Sequence, residues 1–199
     1  MKLFYATKNK FKINNMLTRI SDMDIELVTP YDLDIEIDVE EDGNTVLENA
    51  FIKASAYSDK VDMPIIAADS SLYVDSFLKQ PGLFVHRVDG LSKEKIEDYY
   101  IEELNKVGGS SKAHFVTGIA LIIDGKCKTI EISEDEFLFT SDIFNGPKGF
   151  DDLGRLEYDL KLNKYFCELT NDEMKNRVYT FDSKLREFLI DNLSNVKKN

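Results

Sequence analysis

The sequence predicts a mixed α/β fold in a single domain, with helices on both sides of a long twisted sheet. Three observations lead there. A short apolar run, Lys2-Leu3-Phe4-Tyr5-Ala6, is followed after Thr7-Lys8-Asn9 by apolar residues at helical spacing. A second helical pattern leads, after Pro64, into Ile65-Ile66-Ala67-Ala68, a run suited to a strand covered on both faces. Further on, two apolar runs flank Asp124-Gly125, a dipeptide that closes tight hairpins.

The chain has 199 residues, 43% apolar and 31% charged, with a net charge of −12. That length buries roughly 70% of the unfolded surface in one domain. We place the domain at residues 1–194 and a short tail at 195–199. The acidic balance argues against a protein that tracks a nucleic-acid polymer, which needs a basic face. A small polyphosphate remains compatible if a metal and a few local cations offset the background. Cys127 and Cys167 have no paired spacing and read as reduced thiols of a cytoplasmic protein. The start lacks the apolar run of a signal peptide, and no stretch is long enough to span a membrane, so no membrane partner is expected.

In chain order, the first strand runs over Lys2–Ala6. The helix after it carries Phe11, Ile13, Met16, Leu17 and Ile20 at the right period. Such a strand-to-helix turn offers free backbone N–H groups and a helix dipole to an anion. Lys12 in its first turn opposes the dipole preference, a misfit that an anionic ligand would resolve. Ile25, Leu27, Leu33, Ile35, Ile37 and Val39 alternate loosely with acids and predict one or two strands. Asp42-Gly43-Asn44 makes a turn, Thr45 an N-cap with Glu48 as its capping-box partner, and Leu47, Phe51, Ala54 and Tyr57 the apolar face. Glu48, Asn49 and Lys53 then fall on the outer side. The strand Ile65–Ala68 ends on Asp69, and open α/β sheets put chemistry at such strand ends. Glu48 and Asp69 could converge there on one hard cation, Mg²⁺ or Mn²⁺. Each also has a plainer reading, as a cap and as a turn.

A loop with Pro81-Gly82 leads to Arg87, whose guanidinium suits bidentate phosphate contacts. Ser92 is expected to cap a helix with Ile96, Tyr100, Leu104 and Val107 on one face, stopped by Gly108-Gly109. The hairpin pairs His114–Ile123 with Lys126–Ile132. Phe137-Leu138-Phe139 reads as core or interface, and His86 and His114 as structural or surface residues. Thr170-Asn171-Asp172-Glu173 is a second capping box, and Asp182 caps a last helix with Leu185, Phe188, Leu189 and Leu193 inward.

One long string is more specific than any of its residues. Glu41-x-Gly43-x-Thr45-x-x-Glu48-Asn49-Ala50-x-x-Lys53-Ala54, then Ala68-Asp69-Ser70-Ser71-Leu72 and Pro81-Gly82, resembles the inosine triphosphate pyrophosphatase family. The resemblance is strong to about Arg87 and weaker beyond. It implies a cleft between two lobes and a homodimer. It also implies Mg²⁺-dependent cleavage of a nucleoside triphosphate, between the α- and β-phosphates, to a monophosphate and pyrophosphate. The family's opening pattern is met by Thr7, Asn9 and Lys12, which it makes triphosphate contacts. The reading makes Glu48 and Asp69 metal ligands, and Asp69, Lys12 and Lys53 the catalytic set. Substrate contacts would come from Thr7, Asn9, Ser70, Arg87, Phe150, Asp151, Lys175, Tyr179 and Thr180.

The departures cluster at the other end of the substrate. Where the family carries Ser-His-Arg to grip a purine, this chain has Tyr179-Thr180-Phe181. The Gly-Phe-Gly-aromatic-Asp-Pro loop becomes Pro147-Lys148-Gly149-Phe150-Asp151-Asp152, and the acid expected before Asp69 is Ala68. A base pocket without its polar partners loses its discrimination, so altered base preference is expected, with Tyr179, Phe181 and Phe150 as aromatic surface around a base. Ala68 keeps open a rival reading, a nucleotide sensor with the cradle and little turnover.

Overall fold

In the computed structural model the structure describes residues 1–85, 88, 91–92, 95–147, 153–170, 172–173, 179–194 and 196. Among them, eight strands form one mixed sheet: β1 (Lys2–Tyr5), β2 (Glu26–Val28), β3 (Ile65–Val74), β4 (Ser110–Ile123), β5 (Lys126–Ser133), β6 (Phe137–Thr140), β7 (Glu157–Asp159) and β8 (Lys164–Tyr165). The strand order is β2-β1-β3-β4-β6-β7-β8, with β5 paired to β4. The helices are α1 (Lys10–Arg19), α2 (Val46–Ser55), α3 (Ile96–Lys106) and α4 (Thr180–Leu193). The chain falls into two units, and β3 and β4 pass through both.

The first unit comprises residues 1–70, 117–133 and 178–199. In it β1 lies parallel to both β2 and β3, with Tyr5 opposite Ile66. Side chains alternate between the faces of a strand, and the two faces have different covers. Leu3, Tyr5, Ile66, Ile119, Leu121 and Ile132 pack with Met16 of α1 and with Phe181, Leu185, Leu189 and Leu193 of α4. Phe4, Ala6, Ile65, Ala67, Ala120 and Ile122 pack with Ala50 and Ala54 of α2. Burial pushes the Tyr5 phenol up to about 12. Gly118 lets α2 come close to β4: a Cβ there would stand 2.6 Å from the Val46 carbonyl carbon and 2.7 Å from Leu47 N. Asp124 and Gly125, with φ 48° and 72°, close the β4–β5 hairpin as expected.

In the same unit, α4 is tied to the end of α1 by ions. Arg19 Nε donates to Asp182 Oδ1 at 2.6 Å, with its guanidinium 4.7 Å from the Phe181 ring centre. Arg186 grips Asp22 at 2.6 and 2.9 Å and donates to Arg19 O at 3.2 Å. Asp182 is therefore a partner of Arg19 rather than the cap, and Tyr179 holds the N-cap position without a side-chain capping bond.

The second unit comprises residues 71–116 and 134–177. Leu72, Val74, Ala113, Phe137 and Phe139 form one core with Ile96, Tyr100 and Leu104 of α3. The apolar stripe of α3 and the stop at Gly108-Gly109 match expectation, both glycines having positive φ and Gly109 N–H donating to Leu104 O at 2.8 Å. Its N-cap is Lys95, however, not Ser92. The Thr170 box closes reciprocally, with Glu173 N–H on Thr170 Oγ1 and Thr170 N–H on Glu173 Oε2. Its bond from Lys164, with those from Thr170, holds the Glu173 carboxyl down at about 2. His114 stacks on Tyr73 at 5.6 Å, a structural role as expected.

Residues 33–40 correct the sequence reading. Ile35, Ile37 and Val39 are half-buried against the α2-side core and alternate with exposed Asp34, Glu36, Asp38 and Glu40, yet form no strand. Period-two burial requires only an extended chain with one face on a core; a strand also needs a ladder partner.

Candidate active site

The site grows from the parity of β3. Ile65, Ala67 and Asp69 share one face, the one packed on α2, while Ile66, Ala68 and Ser70 share the other. The strand does not end at Asp69, as expected from the sequence; it runs on to Val74. What ends is its parallel neighbour, since β1 stops at Tyr5, opposite Ile66. Asp69 thus lies beyond the end of β1 and is 8% exposed.

The expected faces of α2 are reversed in part. Val46, Asn49, Ala50, Lys53 and Ala54 are buried, whereas Phe51 is 47% exposed. Ala50 and Ala54 bring the helix close to the sheet, and the longer polar side chains beside them reach Asp69. Lys53 Nζ donates to Asp69 Oδ1 at 2.7 Å and to Ala68 O at 3.2 Å, and pairs with Glu41 Oε2 at 3.1 Å. The ammonium thus makes two hydrogen bonds and one further ion pair. Asn49 Nδ2 donates to Asp69 Oδ2 at 3.0 Å, and Asn49 Oδ1 accepts from Gly43 N–H at 2.9 Å. Sequence reading quoted Asn49 and Glu41 within the motif but gave neither a role at the site. The four-residue step from Asn49 to Lys53, beside the Ala50–Ala54 step, was a usable signal for Asn49. Glu41 sits in a loop, where spacing says nothing about direction.

Glu48 caps α2 with Thr45, whose Oγ1 accepts from Glu48 N–H at 3.1 Å. Its Oε2 accepts from Asn44 N–H at 2.6 Å, one residue ahead of the N-cap amide that a capping box would use. The two expected metal ligands are each held by their own partners. Among the described residues, no group of three or more His, Cys, Asp or Glu is placed to hold a metal ion.

At the turn after β1, Thr7 Oγ1 accepts from Asn9 N–H at 3.1 Å. Asn9 is the N-cap of α1, its Oδ1 accepting from Phe11 and Lys12 N–H at 2.9 and 3.2 Å. No acid stands in the first turn of α1, and Lys12 lies there. Tyr31 Oη donates to Lys8 O at 2.8 Å and braces the turn from outside. Ser70 shares a 2.7 Å hydroxyl contact with Thr117. Phe181, expected as aromatic surface around a base, is 6% exposed and belongs to the core. Its ring lies in the core cluster shared by α1, α4 and the sheet, with the Arg19 guanidinium 4.7 Å from its centre. Tyr179 and Thr180 open α4, whereas Arg87, Phe150, Asp151 and Lys175 lie outside the described residues.

An α/β chain with a buried, doubly held carboxylate just past a parallel strand falls among proteins that keep their polar site at the carboxyl ends of sheet strands. The comparisons narrow this class: the chain belongs to the Ham1 family, whose model matches residues 3–178. A protein of Thermoanaerobacter pseudethanolicus named "dITP/XTP pyrophosphatase" is 31% identical, covering 97% of this chain and 98% of the relative. One of Clostridium perfringens with the same name is 29% identical, covering 99% of each. The Staphylococcus aureus Ham1 protein superposes with a TM-score of 0.72 at 24% identity, over 96% of this chain and 99% of that one. A HAM1 protein from Coxiella burnetii gives 0.71 at 22% identity, with the same coverage. The resemblance read from the motifs is thus borne out, as is the α/β fold.

Proposed function

We propose that this protein is a Mg²⁺-dependent nucleoside triphosphate pyrophosphatase. It releases pyrophosphate and a nucleoside monophosphate. The observation that carries the reading is the Asp69 carboxylate, buried yet held at both oxygens by Lys53 and Asn49. The names of its relatives support the same reaction.

The donor set fits a hard divalent cation. Glu48 and Asp69 supply carboxylate oxygens, each with lone pairs beyond the bonds described. Mg²⁺ is usually held by one or two carboxylates and keeps waters and substrate phosphates as its other ligands, so a three-acid cage is not required. Bound there, the ion would screen the phosphates and lower the pKa of a water. The chain's own residues do the rest. The N-terminus of α1 would meet the phosphates with its dipole and with Lys12, the Phe11 and Lys12 N–H groups being capped by Asn9 and the turn shaped by Thr7. Lys53 holds Asp69 in place through its Oδ1.

The finer part of the reading is an altered base preference. Phe181, at the position of the family's arginine, is apolar and buried; Thr180 brings a single hydroxyl. A hydrolysis screen over standard and modified nucleoside triphosphates, reading pyrophosphate with Mg²⁺ and with a chelator, tests the reaction. Asp69→Asn should lower turnover on the order of 10²-fold or more. Wild-type rates in that variant, or undiminished rates in chelator, would sink the mechanism.

A further inference from the structure

Asn49 is 2% exposed, and both ends of its amide are engaged, Oδ1 by Gly43 N–H and Nδ2 by Asp69 Oδ2. A backbone N–H can meet only the amide oxygen, and a carboxylate only the amide nitrogen. One orientation therefore satisfies both contacts and the flipped one satisfies neither. Lys53 grips only Oδ1, and an aspartate is soft about its last torsion. The second grip on Oδ2 fixes the carboxylate plane. Both grips start from the same loop: Glu41 holds Lys53, and Gly43 holds Asn49. Gly43 leaves no slack, since a Cβ there would stand 2.6 Å from Asn49 Oδ1 and 2.8 Å from Glu48 Cβ.

We propose that Asn49 is a positioning residue of this site. It transmits the place of the 41–43 loop to Asp69 and aims the remaining carboxylate lone pairs. The inference rests on the reading of Asp69 as the carboxylate of the pyrophosphatase reaction. The experiment compares Asn49→Ala, the isosteric Asn49→Asp, which keeps the shape but has no donor for Asp69, and Gly43→Ala. With inosine triphosphate and Mg²⁺, kcat should fall about tenfold or more while KM moves far less, because small misplacements act on the reacting geometry. In an Asp69→Ala background, Asn49→Ala should lower the residual rate no further. The Asn49 side-chain N–H₂ resonances should be protected from exchange in the wild type and shift in Asp69→Ala.

Unchanged kcat in all three variants, or the same loss in both backgrounds, overturns the proposal, the latter by making Asn49 merely structural. Should the wild type hydrolyse no nucleoside triphosphate, the functional reading fails by itself. The resonance measurement then still decides whether Asn49 holds Asp69, and unmoved resonances overturn it.

Discussion

Lys53 is the cation around which buried Asp69 and half-buried Glu41 are arranged, and removing it should be felt first in stability. Its side chain is 11% exposed, and Asp69 and Glu41 share it. Breaking a buried ion pair by deleting one partner leaves an uncompensated charge, at a cost of about 3–5 kcal/mol. Lys53→Met should therefore lower stability by about 3 kcal/mol in urea denaturation, with turnover falling as well. Loss of turnover at unchanged stability would instead make Lys53 a residue that acts on the substrate, as its place in the expected catalytic set requires. Part of the candidate site was legible at this scale. Lys53, Asp69, Thr7 and Asn9 were named with the help of the family resemblance, and the structure puts Lys53 on Asp69 and Thr7 on Asn9. Asn49 was misplaced because hydrophobic periodicity assigns polar residues outward, and a buried polar network has no signature in hydropathy.

Between elements, the contact of α2 with β4 sets where the site residues stand. Gly118→Ala drives a Cβ into the Val46–Leu47 backbone, which cannot rotate away. Overpacking of this kind costs about 1–3 kcal/mol, and α2 carries Asn49 and Lys53, so kcat should fall with stability. A fully active, equally stable Gly118→Ala would mean that α2 has room to move. The α1–α4 tie predicts a pH effect. The Arg186 hydrogen bond holds the Asp22 carboxyl below the ordinary carboxylate range. A depressed folded pKa gives stability that is present above the unfolded value, about 3.9, and lost as pH falls through the folded one. The difference in Tm between wild type and Asp22→Asn should be small, steady near neutrality, and vanish in acid; a gap that persists there excludes this bond as its source. The strand–helix order, the 124–125 hairpin and the apolar stripe of α3 were legible because each is a local pattern. Residues 33–40 misled because alternation reports burial of one face and carries no information about a ladder partner.

For the molecule as a whole, base choice is the decisive measurement. The Ser-His-Arg grip of the resemblance is replaced by Tyr179-Thr180-Phe181, with Phe181 in the core against Arg19. Each lost charged hydrogen bond is worth about 1.5–3 kcal/mol, enough to reorder substrates more than tenfold. In direct competition, inosine triphosphate should not outrun the four standard deoxynucleoside triphosphates by a hundredfold. A hundredfold win would return the grip to other residues of the chain. β2 has one more consequence, for how copies of this protein behave in a crowded solution. It stands last in the strand order, is three residues long, and leads through Pro30 into the acidic alternation of 34–40. An open sheet edge is a template on which foreign strands can grow, and a short edge followed by proline and like charges is a poor one. With a net charge of −12, neighbouring copies also repel one another near neutrality. Resistance to fibril growth is thus written into the same acids that resembled a strand, and it should weaken as they are protonated.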